Sequence, residues 1–479
     1  MLYAVGVGWL VWDGMRWKPV PVEFISSRVS TYYRDQFEKA TTAWMRSGGM
    51  EEKYEILAKM YRAFMSSSRL NSILNHLKVT AKVLVEASSL DAHPELLNTP
   101  AGILDLRTGE VAPHDPAMLF TKVTRGSYRG RDFTHPDWET ALTALPVEDM
   151  RYMQLRFGQA IVGQIPESDD CVFLVGHGSN GKSLWASDGI LRALGDYGAL
   201  SPATLISSKQ SETGPSPERF GLRGVRLSLI EELPEGRSLS VAEVKRITGT
   251  SIITARDLHE KFVSFTASHT LFITTNYLPS VAEVDAGSWR RLCRVDFPFR
   301  FRAQPVSDDD RQGDPGLKAR IRAGKDGQHD AILTWMVNGA LRYFEDPGAI
   351  MEDRRPPSIA GATLEWRKEA DRILAYVEAR LEVTRDPKHM VAKSDLYTDF
   401  TRFLTEMGHN PWSQETFASR FKGHERIAGV GVKEAQTRGA DGVSRPVYAP
   451  IGGGWSSSSV LPPLPKVPRV FRGVRFKTD

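Results

Sequence analysis

The sequence predicts an α/β protein built around a parallel sheet, and three observations carry that reading. Residues 171–302 alternate strand-like apolar runs (CVFLV, VRLSLI, TLFITT, RLCRVDF) with polar connections, the pattern of strands covered on both faces. The first of these runs breaks into the glycine-rich stretch GHGSNGKS, a loop type that places backbone N–H groups at the mouth of a helix. Helical periodicity dominates on either side of this segment, at 31–88, 136–165 and 328–345.

From the start of the chain, WLVWDGMRWKPV reads as a hairpin around Asp13-Gly14. Several helices follow to residue 88, and a second hairpin-like stretch runs from Gly102 to Val111. After the helix expected at 328–345, Pro347, Pro356 and Pro357 mark a linker. A smaller helical unit fills about 363–425, followed by Gly-punctuated, strand-like residues to Ile451. The last segment is low in complexity: serines, then LPPLPKVPRVFRGVRFKTD, expected to be a disordered basic tail.

Composition excludes several classes. With 41% hydrophobic and 25% charged residues, the 479-residue chain matches soluble globular proteins and is long enough for two to four domains. No apolar stretch approaches the ~18 residues of a membrane span, and the apolar start MLYAVGVGWLVWDG lacks a basic leader region. A cytoplasmic protein with no membrane partner is expected. Two cysteines, Cys171 and Cys293, cannot form a zinc site and read as buried thiols. A net charge of +4 leaves any nucleic-acid contact to local clusters.

Gly176-His177-Gly178-Ser179-Asn180-Gly181-Lys182-Ser183 fits the phosphate-binding loop. Gly176, Gly178, Ser179, Asn180 and Gly181 supply the cradle, Lys182 reaches the β- and γ-phosphates of ATP, and the Ser183 hydroxyl ligates Mg²⁺. About fifty residues on, the run RLSLI ends in Glu231-Glu232. One carboxylate can hold the metal's water shell, with Glu231 taken as the Mg²⁺-side residue, and its neighbour can polarise the attacking water. The residues alone leave open which glutamate is the base. The strand TLFITT ends in Asn276, whose amide can orient that water, and Arg290-Arg291 follow, able to reach phosphate held by a neighbouring subunit.

Between the acids and Asn276 lies KRITGTSIITARDLHEKF, residues 245–262. The order of loop, acids, this insert, strand-end Asn and Arg pair resembles the superfamily III helicases of small DNA viruses, phages and plasmids. The likeness is greatest to the phage/plasmid primase-helicase family related to poxvirus primase-helicases. NTPAGILDL (98–106) and WLVWDGMRW (9–17) are similar to that family's helicase-associated N-terminal region, and LYTDF (396–400) with FASRF (417–421) to its C-terminal winged-helix module.

The resemblance implies an AAA+-like motor with these parts: a helicase-associated domain at 1–135, the ATPase at 136–350, a winged-helix-like domain at 360–451 and the basic tail at 452–479. It implies a ring, usually a hexamer, translocating 3′ to 5′ on single-stranded DNA and opening forked DNA. By position, Lys182 and Ser183 are the phosphate and metal residues, Glu232 the catalytic acid, Asn276 the sensor, and Arg291, with Arg290, the finger from the next subunit. Residues 253–265 become a hairpin facing the channel, with His259 and Lys261 at its tip on the DNA backbone. A cationic tip repeated around a ring meets phosphates without reading bases, although Glu260 dilutes that charge. Lys245 and Arg256 either join these contacts or serve structure and communication between subunits.

The family's region begins here at residue 1, so the expectation is that this polypeptide makes no primer and works with a separately encoded primase or other replication proteins, in a bacterial host. The only Asp-x-Asp, within Asp308-Asp309-Asp310, reads as a solvated loop. In the tail, Lys466, Arg469, Arg472, Arg475 and Lys477 interleave with Phe471 and Phe476; base stacking, partner docking and a solubilising role all fit. Two other functions remain in view: a phosphate-loop kinase, which leaves 245–262 unexplained, and an ATP-switched origin-binding or loading protein.

Overall fold

The computed structural model describes residues 1–206, 216–233, 238–256, 262–281, 286–428, 430–438, 441–446 and 461–477. The chain divides into two units: Met1–Pro279 with Arg291–Ala360, and Ser280–Arg290 with Gly361–Asp479.

In the first unit, Gly8–Trp12 and Trp17–Val20 form the expected antiparallel hairpin. Asp13 Oδ1 accepts from the backbone N–H groups of Met15 and Arg16 at 3.0 and 2.9 Å, closing the turn at Gly14 (φ +106°). Leu2–Ala4 and Leu84–Val85 complete this sheet. Three helices follow the hairpin: Val22–Arg46, Glu52–Phe64 and Ser67–Lys78. A second antiparallel sheet comprises Leu96–Thr99, Gly102–Asp105 and Val111–Ala112. Helix Val147–Ile161 lies against Gln328–Glu345. Their backbones approach so closely at Gly158 and Gly339 that a Cβ on either would enter the other helix's main chain.

Five strands make the central sheet, in the spatial order Leu292–Asp296, Cys171–Val175, Thr270–Thr275, Leu227–Glu231, Gly198–Leu200. Every pairing in it is parallel, as the alternating sequence pattern required. Cys171–Val175 and Thr270–Thr275 are buried throughout, which explains their unbroken apolar character. Trp138, Phe157, Trp185, Phe272 and Trp335 pack around them, with Phe157 stacked on Phe272 at 4.4 Å. Because the sheet is parallel, all five carboxyl ends open on one side. The aspartate run after it is not a solvated loop at its last member: Asp310 begins the short strand Asp310–Gln312 beside Arg300–Arg302. Its carboxylate accepts from Val306 N–H at 2.9 Å and pairs with Arg302 at 3.0 Å, because the run turns back on that strand.

The second unit contains helix Arg372–Arg380, strand Met390–Ala392, helices Lys393–Glu406 and Gln414–Gly423, and strands Lys433–Gln436 and Arg469–Arg472. Phe400, Phe417, Phe421 and Phe471 form its core. Here the structure corrects the expectation of a disordered tail, over residues 469–476. Arg469–Arg472 lies between Lys433–Gln436 and Met390–Ala392, antiparallel to both, and Val474–Phe476 pairs with Leu381–Val383. The alternation that read as basic residues interleaved with aromatics is strand alternation around a turn at Gly473 (φ +88°). Val470, Phe471, Val474 and Phe476 are buried, while Arg475 pairs outward with Glu382 at 2.7 Å.

Candidate functional site

The buried strand Cys171–Val175 delivers the chain into the phosphate loop at the carboxyl end of the sheet. Gly178, Ser179 and Gly181 adopt left-handed backbone angles, φ +53°, +52° and +85°, which turn successive N–H groups into one concavity, the geometry of an anion nest. A Cβ at Gly176 would displace the Asn180 amide and press on the Phe297 carbonyl. The loop is held from outside the motif as well: Phe301 N–H donates to the Ser179 carbonyl at 2.9 Å. Beyond it the chain enters a π-helical turn, Leu184–Ile190, anchored by Trp185, whose Nε1 donates to the Ala141 carbonyl at 2.6 Å.

Lys182 is buried at the centre. Its ammonium donates to Asn276 Oδ1 at 3.0 Å, to Asn180 Oδ1 at 3.3 Å and to the Gly176 carbonyl. No carboxylate pairs with it among the described residues. Burial pushes its pKa below the ordinary lysine value, and the charge of Glu232 offsets part of that shift. The structure thus brings together the loop and the strand-end asparagine around a desolvated cation. Thr275 Oγ1, which donates to the Tyr277 carbonyl at 2.6 Å, fixes the turn that aims Asn276 inward.

A cavity of about 500 Å³ opens above this lysine, lined by Gly178–Leu184, Glu232 and Thr274–Asn276. The acidic pair separates. Glu231 is the last residue of its strand, whereas Glu232 has φ +55° and donates its N–H to the Thr274 carbonyl at 3.0 Å. That left-handed turn brings Glu232 to the cavity. Glu231 lines an adjacent cleft of about 710 Å³ with Ser187, Asp188, Arg125 and Arg192, and Ser183 borders both spaces. A non-glycine residue held left-handed beside a cavity is the kind of local strain found at functional sites.

Sequence reasoning missed the far wall of the cavity: Ala141, Phe301, Asp314, Leu317 and Lys318. Asp314 is tied to Arg320 at 2.6 Å, and Lys318 lies 3.4 Å from Asp188. These residues reach the cavity through the tertiary fold, and no local motif marks them.

The remaining predicted residues lie elsewhere. Ile252–Ala255 and Val263–Thr266 form the expected antiparallel hairpin, in register from Ile252 with Thr266 to Ala255 with Val263. His259 and Lys261, at its tip, lie outside the described residues. Arg256 stacks over the Phe262 ring at 4.7 Å, closing the hairpin's end from one side. Lys245 sits on the preceding helix, Val241–Thr248, half-buried. Arg291 precedes strand Leu292–Asp296 and pairs with Asp169 at 3.2 Å; Arg290 is exposed. Neither arginine lines the cavity. Among the described residues no cluster of His, Cys, Asp and Glu forms a metal site, and no helix is long and apolar enough to cross a membrane.

A family model described as "D5 N terminal like" matches residues 1–145. "Putative helicase L207/L206" of Acanthamoeba polyphaga mimivirus is 24% identical over 324 residues, covering 64% of this chain and 33% of the viral protein. "Putative primase C962R" of African swine fever virus (strain Badajoz 1971 Vero-adapted) is 23% identical over 326 residues, covering 66% and 34%. The chain therefore spans about a third of the length of these relatives. Among solved structures, the apo C-terminal region of NrS-1 aligns over 85% of this chain and 91% of its own at 12% identity, with a TM-score of 0.45. The match over residues 1–145 and the likeness to viral proteins named for helicase and primase agree: the chain is a relative of the D5-type primase-helicases.

Proposed function

We propose that the protein is an ATP-dependent, ring-forming DNA helicase of a replicating genetic element, moving 3′ to 5′ along single-stranded DNA. One observation carries the reading: the phosphate loop, Glu232 and Asn276 meet around the buried ammonium of Lys182, which makes no carboxylate ion pair among the described residues, and the hairpin strands 252–255 and 263–266 follow the acids in the same chain. A polyanion such as triphosphate supplies the charge this lysine lacks.

In this reading the left-handed N–H groups of Gly178 to Gly181 and Lys182 bind the β- and γ-phosphates. Ser183, which borders both spaces, and Glu231 on the cleft side would hold Mg²⁺; bound there, the ion would offset charge on the phosphate oxygens. Glu232 takes the proton of the attacking water, and the Asn276 amide orients that water. The core is read as AAA+-like. The second unit's order of helix, strand, two helices, strand and central returning strand supports a winged-helix reading. His259 and Lys261, between the two hairpin strands in sequence, meet the DNA backbone; a hexameric ring carries six such pairs.

ATP turnover and fork unwinding by wild type, Lys182→Ala and Lys261→Ala test the reading. Turnover is lost in the first. In the second, basal turnover remains while DNA stimulation and unwinding are lost. Strong turnover with no strand separation on forks of either polarity would shift the function to an ATP-switched origin-binding or loading protein, with the second unit as its DNA-facing part.

A further inference from the structure

The far wall of the cavity takes no part in the chemistry described above, and most of it is apolar. Ala141 and Leu317 are buried there, beside the half-buried Leu184 and Phe301. Phe301 is fixed to the phosphate loop: its N–H donates to the Ser179 carbonyl at 2.9 Å, and a Cβ built on Gly181 would stand 3.4 Å from its ring. A triphosphate has no apolar surface to set against such a wall, whereas a nucleobase has two π-faces that stack on aromatic side chains. The cavity's volume, about 500 Å³, falls in the range of sites that enclose a whole small ligand.

Two charged side chains interrupt the wall, Asp314 and Lys318. Lys318 is drawn toward Asp188, at 3.4 Å, and lines the adjacent cleft as well. Asp314 accepts from Arg320 at 2.6 Å and from the Gly316 N–H at 2.8 Å. These contacts hold its carboxyl below the ordinary aspartate range, so at neutral pH the group accepts and never donates. Its two oxygens offer about four acceptor positions, and the half-exposed carboxylate keeps room for a further donor. Arg320 is itself held by both oxygens of Asp137, at 2.7 to 3.1 Å, which sets the position of its Asp314 contact. Adenine and cytosine carry an exocyclic amino donor on the base edge; guanine, hypoxanthine and uracil carry a carbonyl acceptor in its place.

We propose that Ala141, Phe301 and Leu317 hold the nucleobase and that Asp314 sets the base preference, accepting from the amino group of adenine or cytosine and repelling a carbonyl in that place. Phe301 joins the two ends of the site, since the ring that would stack on the base is the one packed on the phosphate loop. The selection is for an amino-bearing base rather than for a purine as such. This deepens the ATP reading above and rests on it.

The test uses the full chain and three probes with Mg²⁺: ATP, inosine triphosphate, which has the carbonyl in place of the amino group, and inorganic tripolyphosphate, which has no base. The wild type binds ATP about tenfold or more tighter than tripolyphosphate and about tenfold tighter than inosine triphosphate. In Asp314→Asn the carboxamide both accepts and donates. The preference for ATP then falls to within about threefold, through a gain for inosine triphosphate, while tripolyphosphate affinity and Tm stay near wild type because Arg320 keeps Asp137. Phe301→Leu weakens ATP about tenfold and tripolyphosphate less than about twofold. Tripolyphosphate bound as tightly as ATP by the wild type overturns the base slot and leaves the phosphate loop standing. So does an equal loss of ATP and tripolyphosphate in Phe301→Leu, which would assign that ring to the loop. An unchanged preference in Asp314→Asn overturns the selecting role. A wild type that binds neither ATP nor tripolyphosphate removes the ATP reading and this proposal with it.

Discussion

At the base of the central sheet, just before strand Cys171–Val175, Asp170 accepts from Arg156 at 2.7 Å and from Arg355 at 2.9 Å, and all three side chains are buried. Two strands away, just before Leu227–Glu231, Arg226 is also buried, donates to the carbonyls of Ile161, His93 and Leu96, and stacks on Tyr197 at 4.7 Å. At the opposite ends of the same strands, Lys182 is buried with neutral oxygens for company, and Ser179 and Glu232 hold left-handed angles. The base uses its charges to join segments distant in sequence. The top holds a cation with no carboxylate ion pair among the described residues, next to strained backbone. Burial alone does not separate structure from function here; what a buried charge is paired with does.

The contrast breaks most visibly in activity. Lys182→Ala and Glu232→Gln each lower ATP turnover by about 10³-fold. Since burial already works against the charged lysine, Lys182→Ala leaves the urea-unfolding free energy within about 1 kcal/mol. A large stability loss with little change in turnover would place Lys182 with the base rather than the top.

Asp170→Asn gives the opposite pattern. The substitution keeps the shape but strands two guanidinium groups, Arg156 and Arg355, in a buried site. Removing one partner from such a cluster costs about 3–5 kcal/mol, measurable as a fall in the denaturation midpoint. At temperatures where the variant is folded, its KM for ATP stays near wild type. An unchanged midpoint would mean the triad is not what ties helix Val147–Ile161 and residue 355 to the sheet.

These two ends differed in how far the sequence disclosed them. The phosphate loop, the acids, Asn276 and the helix at 328–345 were legible because each is a local pattern with a local cause: glycine spacing, strand ends and a 3.6-residue period. The Arg156–Asp170–Arg355 triad was not, since its members lie far apart in sequence and carry no spacing rule. Nor was the parting of Glu231 from Glu232, which is set by one backbone angle rather than by residue type. The final strands were misread for a third reason: an eight-residue segment, RVFRGVRF, satisfies both a basic-aromatic tail and a strand pair, and only the sheet awaiting it decides.

His269 tests the base end by pH. It is buried immediately before strand Thr270–Thr275, and burial pushes its pKa down to about 4, with the Ile247 backbone offsetting only part. The unfolded chain, with histidine near 6.5, binds more protons between these values. Stability is therefore full above pH 6.5 and falls as pH drops toward 4. The loss between pH 7.5 and 5 is about 2 kcal/mol. His269→Phe removes this component, so the wild-type urea midpoint should fall relative to that of the variant as pH drops from 7.5 to 5; parallel pH profiles would show that the ring is not held neutral by the fold.

The smallest effect returns to the top of the sheet. Ser179 at φ +52° carries the usual penalty of a left-handed L-residue, about 1–2 kcal/mol. Ser179→Gly relieves it but frees the unfolded chain, which takes back about 0.5–1 kcal/mol. The net is a stabilisation of about 0.5 kcal/mol. Asp169 at the base also has a left-handed angle, φ +50°, but aspartate tolerates that region better than most residues, so Asp169→Gly gains less and loses the Arg291 pair as well. If Ser179→Gly raises the midpoint while weakening ATP affinity, the strain at the top is what preorganises the loop. If it raises the midpoint with affinity unchanged, the concavity of N–H groups forms without help from the serine.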